Sequence, residues 1–490
     1  MDQSTSPDNG IVILERKRLV FAAVGAAIFI LIYCSPQWVD AVDPTGEHFS
    51  LSTEGKGALA VFLVAGLFWV FEVLPIGVTS LLIGVLQAMF MIRPAKEAFK
   101  DFMDPSVLFI FSSIVIGMVF TKTGLTRRLA YKMLAVIGEK TSMIYLGCFV
   151  LTAGLTLVMA HTAVAATIYP LLMAVYSLYD GGDGPTRFGK GLFMGMAYIA
   201  GAGSIITLLG AARGAVAIEF FKEITGREIS FFQLSYYMLP IGVIMTIVLW
   251  VFFMAFFRPE KKIIAGLREK SSRLSEDLGR ITVKEILAAL IVLGAVVTLS
   301  LRSFVPALHQ FDKSAILLIT TILFFFFNIL DLDDLESIPW DIILLFSGAM
   351  SLGFCLWQTG AAKWLAIHWL GLFEKSNWFV FLMGISFFVM MMTNVIMNVA
   401  AIAISLPVAL VIAPYLGIAS EVILFSALVV AGMPFLLLVG AAPNAIAYSS
   451  GQFTSGEFFR YGVLASCLLM AVVAAAITFI WPVMGMQVLM

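Results

Sequence analysis

Long apolar runs separated by short polar segments make up most of this chain. A run of about 20 apolar residues is long enough to cross a bilayer as a helix. The pattern therefore predicts an all-α polytopic membrane protein with about eleven transmembrane helices and two re-entrant hairpins. The predicted spans are 19–34, 57–74, 76–92, 106–121, a glycine-rich span after Lys190, 236–257, 285–301, 313–331, 341–358, 421–447 and 461–485.

Polar residues interrupt two further apolar regions near their centres. The interruptions are His161-Thr162 within 142–179 and Asn398 within 378–415, and a proline follows each of them at the same distance. A polar side chain at membrane depth is costly and usually functional. Non-helical backbone is tolerated there only where it is buried in protein or lines a cavity. We therefore predict that each region is a re-entrant hairpin with its tip at a binding site.

The two halves of the chain repeat a common plan. Gly210–Ala217 (GAARGAVA) matches Gly440–Ala447 (GAAPNAIA), and Thr123-Gly124 matches Thr359-Gly360 at a similar separation. Glycines inside these apolar segments predict helices that unwind midway. An odd number of crossings in each unit requires the two units to have opposite orientations in the membrane. The sequence thus predicts an inverted repeat.

Composition and charge narrow the range of functions. Hydrophobic residues make up 61% of the 490 positions and charged residues only 12%, as expected for a chain that contacts the lipid bilayer. The net charge of −1 gives no indication of a nucleic-acid partner. The four histidines are scattered, and the sequence contains no His-Glu-x-x-His motif, so an intramembrane enzyme is not predicted.

Basic residues predict the orientation of the chain. Residues 15–18 (ERKR) precede the first span and place the N-terminus in the cytoplasm by the positive-inside rule. The basic loop 258–284 fits the same side, and 122–140 has the spacing of an amphipathic helix on the inner surface. We expect a multi-pass protein of a bacterial inner membrane or a plasma membrane.

Three segments resemble one transporter family. Phe68–Thr79 (FWVFEVLPIGVT) resembles the WWxTEAIPIPVT signature of the divalent anion/sodium symporter (DASS) family. Ile338–Gly348 (IPWDIILLFSG) resembles its INWGVLLLFGGG segment, and Val439–Ile446 (VGAAPNAI) is similar to its GTPPN motif. The resemblance runs from about residue 57 to the C-terminus.

The resemblance implies a homodimeric elevator transporter, in which a transport part slides along a fixed scaffold. The implied organisation is a cytoplasmic N-terminus (1–18), scaffold halves (19–134 and 285–372), transport halves (135–235 and 373–490), and a span with a cytoplasmic linker (236–284). In the family, Ser-Asn-Thr at each hairpin tip binds sodium and the carboxylate of the substrate. Here the tips read Ala160-His161-Thr162 and Met397-Asn398-Val399.

These positions define the candidate site. The implied substrate-binding residues are His161, Thr162, Arg213, Asn398, Val399, Ala441, Ala442 and Asn444. The implied sodium positions are Ala160, His161, Gly203, Met397, Asn398 and Gly440, and no cofactor other than sodium is expected. Because both tips depart from Ser-Asn-Thr, sodium coupling and dicarboxylate specificity do not follow from the resemblance.

The roles of four residues are left open. Asn398 either contacts the ligand or makes a hydrogen bond between helices, and Thr162 either contacts the ligand or bonds its own helix. His161 is either a neutral polar residue or a group that takes up a proton with the substrate. Arg213 is either a cation that balances substrate charge in place of sodium or a side chain that snorkels to the interface.

The predicted function is secondary active transport of a small anion, such as a carboxylate, a sulfonate or a sulfate-like ion, by an elevator motion. We predict coupling to protons, to residual sodium binding or to anion exchange alone, so that sodium is not strictly needed. The alternatives are a sodium-coupled dicarboxylate symporter and an oxyanion or ion antiporter of the same architecture.

Overall fold

The computed structural model of this chain is helical through most of the residues that it describes, which are 8–42, 46–179, 184–373 and 377–490. The predicted all-α fold class is confirmed. Parts of four predicted regions lie outside the described residues: 1–7 of the N-terminal segment, 43–45 of the first scaffold half, 180–183 of the first transport half and 374–376 of the second.

Apolar segments form helices here because a chain in lipid must satisfy its backbone hydrogen bonds internally. The helices of the first half are α1 (Asp8–Tyr33), α2 (Thr53–Val70), α3 (Ile76–Met89), α4 (Ala95–Lys100), α5 (Pro105–Lys122), α6 (Leu125–Ile137), α7 (Thr141–Leu155), α8 (His161–Tyr179), α9 (Arg187–Gly203), α10 (Arg213–Thr225), α11 (Phe231–Phe256) and α12 (Leu267–Asp277). The helices of the second half are α13 (Val283–Leu301), α14 (Pro306–His309), α15 (Lys313–Phe326), α16 (Leu332–Glu336), α17 (Trp340–Gln358), α18 (Ala361–Phe373), α19 (Trp378–Val395), α20 (Asn398–Ile412), α21 (Ser420–Ala431), α22 (Ala442–Tyr448), α23 (Ser455–Ala475) and α24 (Trp481–Val483).

Short elements complete the described chain. They are the 3-10 turns Asp101–Met103, Ala413–Leu416 and Leu438–Gly440, the π-helical turn Ala476–Ile480, and the antiparallel strands β1 (Ala41–Val42) and β2 (His48–Phe49), in which Ala41 pairs with Phe49 and Val42 with His48. Within the described residues, nine helical segments are long and apolar enough to cross a membrane by length and composition. Each predicted span coincides with one or two helices. The boundaries differ by a few residues, except that α1 begins at Asp8, eleven residues before the predicted span 19–34.

Both predicted hairpins consist of two helices that meet at a short break. Helix α7 ends at Leu155 and α8 begins at His161, while α19 ends at Val395 and α20 begins at Asn398. The predicted glycine-interrupted spans are broken in the same way. Helices α9 and α10 are separated by residues 204–212, which we call break 1, and α21 and α22 by residues 432–441, which we call break 2.

One compact unit consists of residues 1–104, 339–376 and 403–415. Within it, α3 and α17 pack closely because Gly348 faces Ser80 without room for a Cβ atom. A buried ion pair joins Arg93 Nη1 to Asp101 Oδ2 at 2.6 Å, and Arg93 also donates to Gln87 Oε1 at 3.1 Å. These partners satisfy charges that would otherwise be costly to bury.

The second compact unit consists of residues 105–338, 377–402 and 416–490, and it contains both hairpin tips and both breaks. Its helix α6 falls within the stretch that the sequence predicted as amphipathic. Arg128 on this helix is buried, although the prediction placed it on the inner surface. Its guanidinium Nε donates to Glu285 Oε1 at 3.0 Å and Nη2 to Oε2 at 3.2 Å, while Nη1 donates to Gly279 O at 2.9 Å. Arg128 therefore joins α6 to the linker and to α13.

Glu260, in the loop after α11, stabilises the start of α9. Its carboxylate accepts hydrogen bonds from the backbone N–H of Arg187 at 2.6 Å, that of Phe188 at 3.3 Å and the hydroxyl of Tyr179 at 2.8 Å. Partial burial raises the pKa of Glu260, but these donors outweigh it and hold the pKa below its ordinary value of 4.5. The N-terminal dipole of α9 also favours a negative charge here.

Replacing Arg128 with methionine is expected to lower the free energy of unfolding by about 3–5 kcal/mol, because Glu285 would remain buried without its partner. Thermal unfolding of the purified protein measures the change. The matched control is Arg273→Met, which breaks an exposed pair with Glu269 (2.6 Å, side chains 74% and 70% exposed). That variant should lose no more than about 1 kcal/mol. Equal losses in both variants would contradict the assignment.

Stability is expected to depend on pH through Glu260. A pKa that is lowered in the folded state stabilises the protein above the ordinary pKa, and this contribution is lost as the pH falls through the folded value. Glu260→Gln should therefore unfold more easily than the wild type at neutral pH. The difference should shrink as the pH falls below 4.5. Unfolding temperatures of both proteins across this range are the measurement, and a constant difference would refute the linkage.

Candidate functional site

The tip of the first hairpin is held against break 1. The backbone N–H of His161 donates to Gly210 O at 3.0 Å, and its ring Nδ1 lies 3.3 Å from the same oxygen. Because a carbonyl oxygen only accepts, this geometry puts the ring proton on Nδ1. Thr207 Oγ1 donates to Leu157 O at 2.7 Å. A Cβ atom on Gly210 would lie 2.5 Å from Thr156 O, so glycine is required for this close approach.

The tip of the second hairpin meets break 2 in the same way. In the orientation that satisfies both ends of its amide, Asn398 Nδ2 donates to Gly440 O at 2.9 Å. Thr393 Oγ1 donates to Ala431 O at 3.0 Å, at the end of α21. The first residue of α8 and the first residue of α20 thus each bond the carbonyl of the glycine that opens a matched GAA sequence. This correspondence supports the predicted duplication.

Amide side chains hold the unwound backbone of break 2. Asn394 Oδ1 accepts from the N–H of Leu436 at 2.7 Å and that of Leu437 at 3.3 Å. Asn444 Nδ2 donates to Pro434 O at 2.8 Å and to Leu437 O at 3.1 Å. Asn444, a candidate substrate ligand, therefore has its amide nitrogen engaged with its own break.

Arg213 joins the two half-sites. Its side chain is buried, with the residue only 2% exposed. Nη2 donates to Ser204 Oγ in break 1 at 2.8 Å, and Nη1 donates to Asn398 Oδ1 at the second tip at 3.2 Å. The alternative that Arg213 snorkels to the interface is therefore wrong. In the described part of the chain, no carboxylate oxygen lies within 4.0 Å of its guanidinium nitrogens.

The other candidate residues differ in what they can offer. Thr162, Ala160, Met397, Ala441 and Ala442 are partly exposed next to the breaks, whereas Val399, Gly203 and Gly440 are buried. Gly203 has no room for a Cβ atom because Thr156 Oγ1 and the backbone of Ala153 press against it. Because valine and glycine carry no polar side-chain atoms, these three positions can contribute only backbone groups to a ligand.

The sequence analysis missed Ser204, Thr207, Thr393 and Asn394, which hold the breaks and the tips together. Each of them is a polar residue within an apolar run, and this feature of the sequence could have identified them as candidates. The described residues contain no group of three or more His, Cys, Asp or Glu side chains that could hold a metal ion. The oxygen atoms present are carbonyls, hydroxyls and amides, which suit alkali cations and hydrogen-bonded ligands rather than transition metals.

Proteins similar to this chain are membrane transporters. The family model for the sodium:sulfate symporter transmembrane region matches residues 44–487. The sodium-dependent dicarboxylate transporter SdcS of Staphylococcus saprophyticus is 23% identical over 461 residues, which cover 90% of this chain and 89% of the relative. An uncharacterized transporter of Methanocaldococcus jannaschii is 26% identical over 419 residues, which cover 85% of this chain and 91% of that protein.

Among solved structures, the YdaH transporter of Alcanivorax borkumensis aligns with 97% of this chain and 98% of its own at 11% identity and a TM-score of 0.39. A similarity at that score does not bear on the fold or the site. The family model, by contrast, covers nearly the whole chain. This chain therefore belongs to the sodium:sulfate symporter family, the divalent anion/sodium symporters, and is a multi-pass membrane transporter rather than an enzyme.

Proposed function

We propose that this chain carries a small anion, such as a carboxylate, a sulfonate or a sulfate-like ion, across the cell membrane by secondary active transport. The observation that supports this most is the meeting of both half-sites at Asn398 and Arg213. Helices α8, α10 and α20 begin at this junction. Their N-terminal dipoles and N–H groups favour an anion, and Thr162 is a neutral donor beside them.

The proposed motion is an elevator movement in a homodimer. It requires the binding site to travel intact with the moving part. The hydrogen bonds from His161 to Gly210 and from Asn398 to Gly440 tie each hairpin tip to a break within one compact unit. Such ties support joint movement of the hairpin tips and the broken helices. The basic residues before the first span support a cytoplasmic N-terminus.

The proposed coupling uses protons or anion exchange, because neither hairpin tip retains Ser-Asn-Thr. A sodium-coupled dicarboxylate symporter is the alternative that the name of SdcS favours, and the name of the family model favours sodium coupling with sulfate. An oxyanion or ion antiporter of the same architecture is a further alternative. Counterflow of labelled anions in proteoliposomes separates exchange and antiport from net uptake.

At least one of succinate, acetate, sulfate and methanesulfonate is expected to raise the unfolding temperature of the purified protein, because a ligand that binds the folded state stabilises it. The titrations are run in sodium and in choline buffers. Asn398→Ala should lose the stabilisation, whereas Ser426→Ala, whose hydroxyl bonds Val422 O in its own helix, should keep it.

Failure of every anion in both buffers would reject the proposed substrate class. Equal stabilisation of the two variants would reject Asn398 as a ligand contact. Stabilisation in the sodium buffer alone would favour the sodium-coupled alternative.

Proton coupling through His161 predicts that anion uptake falls as the external pH rises. A proton on this imidazole faces the charge of Arg213 in an empty site, and a bound anion offsets that repulsion. His161→Gln and His161→Asn keep a polar tip but cannot titrate, so their uptake should vary less with pH. Initial uptake rates across pH are the measurement. Unchanged pH dependence in both variants removes His161 from the coupling and leaves exchange.

A further inference from the structure

Two helices end at the guanidinium of Arg213. Ser204, which accepts from Nη2, is the C-terminal cap of α9, and Gly432, the C-terminal cap of α21, lies against the same group. A Cβ atom on Gly432 would lie 2.5 Å from Nη2 and 3.0 Å from Cζ. The two helix ends also touch each other, since a Cβ atom on Gly201 would lie 2.7 Å from Gly432 O. Helix C-termini carry partial negative charge and attract cations.

The charge at this point has no acidic partner in the described residues. Glu219, the first acidic residue of α10, accepts from Ser106 Oγ at 3.2 Å and lies 3.5 Å from Lys313 Nζ, so it is engaged elsewhere. Arginine does not lose its proton in proteins, and a buried charge without compensation is strongly unfavourable. The helix ends and the oxygen atoms of Ser204 and Asn398 therefore have to stabilise the positive charge of Arg213 until an anion binds.

These surroundings are also those that hold a metal cation in broken-helix transporters, where unwound carbonyls and half-helix C-termini coordinate sodium. Here the oxygen atoms that face the position already accept guanidinium N–H groups. A sodium ion placed among them would be repelled by the guanidinium. The residues at this junction therefore do not fit a mobile cation. The second repeat has Pro443 at the position that matches Arg213, so a guanidinium stands in place of a mobile cation in one half-site only.

We infer that Arg213 is a tethered cation that takes the place of a mobile sodium ion at the junction of α9 and α21. It balances one negative charge of the transported anion permanently. This inference rests on the proposed anion transport and deepens it: binding of a monovalent anion needs no mobile cation at this position. A divalent anion needs one further positive charge.

The test is to replace the tether with a free ion. Arg213→Ala opens a cation site between the two helix ends, so guanidinium chloride at low millimolar concentration should raise its unfolding temperature. Choline chloride at the same ionic strength should not. The wild type should show no stabilisation by guanidinium, because the side chain of Arg213 already fills the position. Arg273→Ala should show none either, because Arg273 lies in an exposed pair with Glu269. If guanidinium fails to stabilise Arg213→Ala, the inference is overturned.

Anion binding gives a second measurement. In choline buffer, Arg213→Ala is expected to bind the anions of the panel roughly a hundredfold more weakly than the wild type, because one charge of the pair is gone. Guanidinium should restore much of this affinity. If the wild type binds no anion while guanidinium still stabilises Arg213→Ala, the proposed function fails and the tethered cation stands. If the wild type binds an anion but guanidinium does not restore anion binding to Arg213→Ala, the proposed function stands and the tethered cation fails.

Two further variants cover the case in which Arg213→Ala does not fold. Arg213→Lys keeps a tethered positive charge, and Arg213→Met keeps the length of the side chain without it. The inference predicts that the lysine variant is clearly more stable than the methionine variant. Equal stability of the two variants overturns it, because a side chain that only fills space would not depend on its charge.

Discussion

Unwound backbone at membrane depth must find its hydrogen-bond partners within the protein, and this constraint determines the candidate site. The break after α9 leaves the carbonyl of Gly210 outside an α-helix, and the break after α21 does the same for Gly440, which ends a 3-10 turn. His161 and Asn398, the first residues of α8 and α20, donate to these two carbonyls. Each hairpin tip therefore stabilises a broken helix, and each broken helix positions a tip. The residues that form the site therefore also satisfy the hydrogen-bonding groups of the unwound backbone.

The inverted repeat duplicates this backbone arrangement but not its chemistry. Where the first repeat has Arg213 and Gly214, the second has Pro443 and Asn444. Asn444 acts locally, because its amide nitrogen bonds two carbonyls of its own break. Arg213 acts across the pseudo-symmetry, because it bonds Ser204 in one half-site and Asn398 in the other. A single charge is thus shared by two neutral half-sites.

The hairpins and broken helices could be predicted because their signals are local in the sequence. His161 and Asn398 are polar residues within apolar runs. Glycines within apolar segments likewise indicate the breaks between α9 and α10 and between α21 and α22. The hydrogen bonds that join the tips to the breaks could not be predicted, because the two partners of each bond lie far apart in the sequence. Thr393, for example, bonds Ala431, and no spacing rule connects the two. Arg128 was likewise predicted to lie on the membrane surface, because its buried partner Glu285 is 157 residues away in the sequence.

A tethered charge also changes what the transporter can do when it is empty. A mobile cation leaves with the substrate, so the empty site returns without either charge. In the proposed transport cycle the guanidinium of Arg213 cannot leave, so an empty site keeps a buried positive charge, which among the described residues is compensated by helix ends and neutral oxygens alone. A site that holds a monovalent anion is neutral and loses less free energy in a low-dielectric environment. On this argument, the loaded form crosses the membrane more readily than the empty form, and that difference favours exchange of one anion for another.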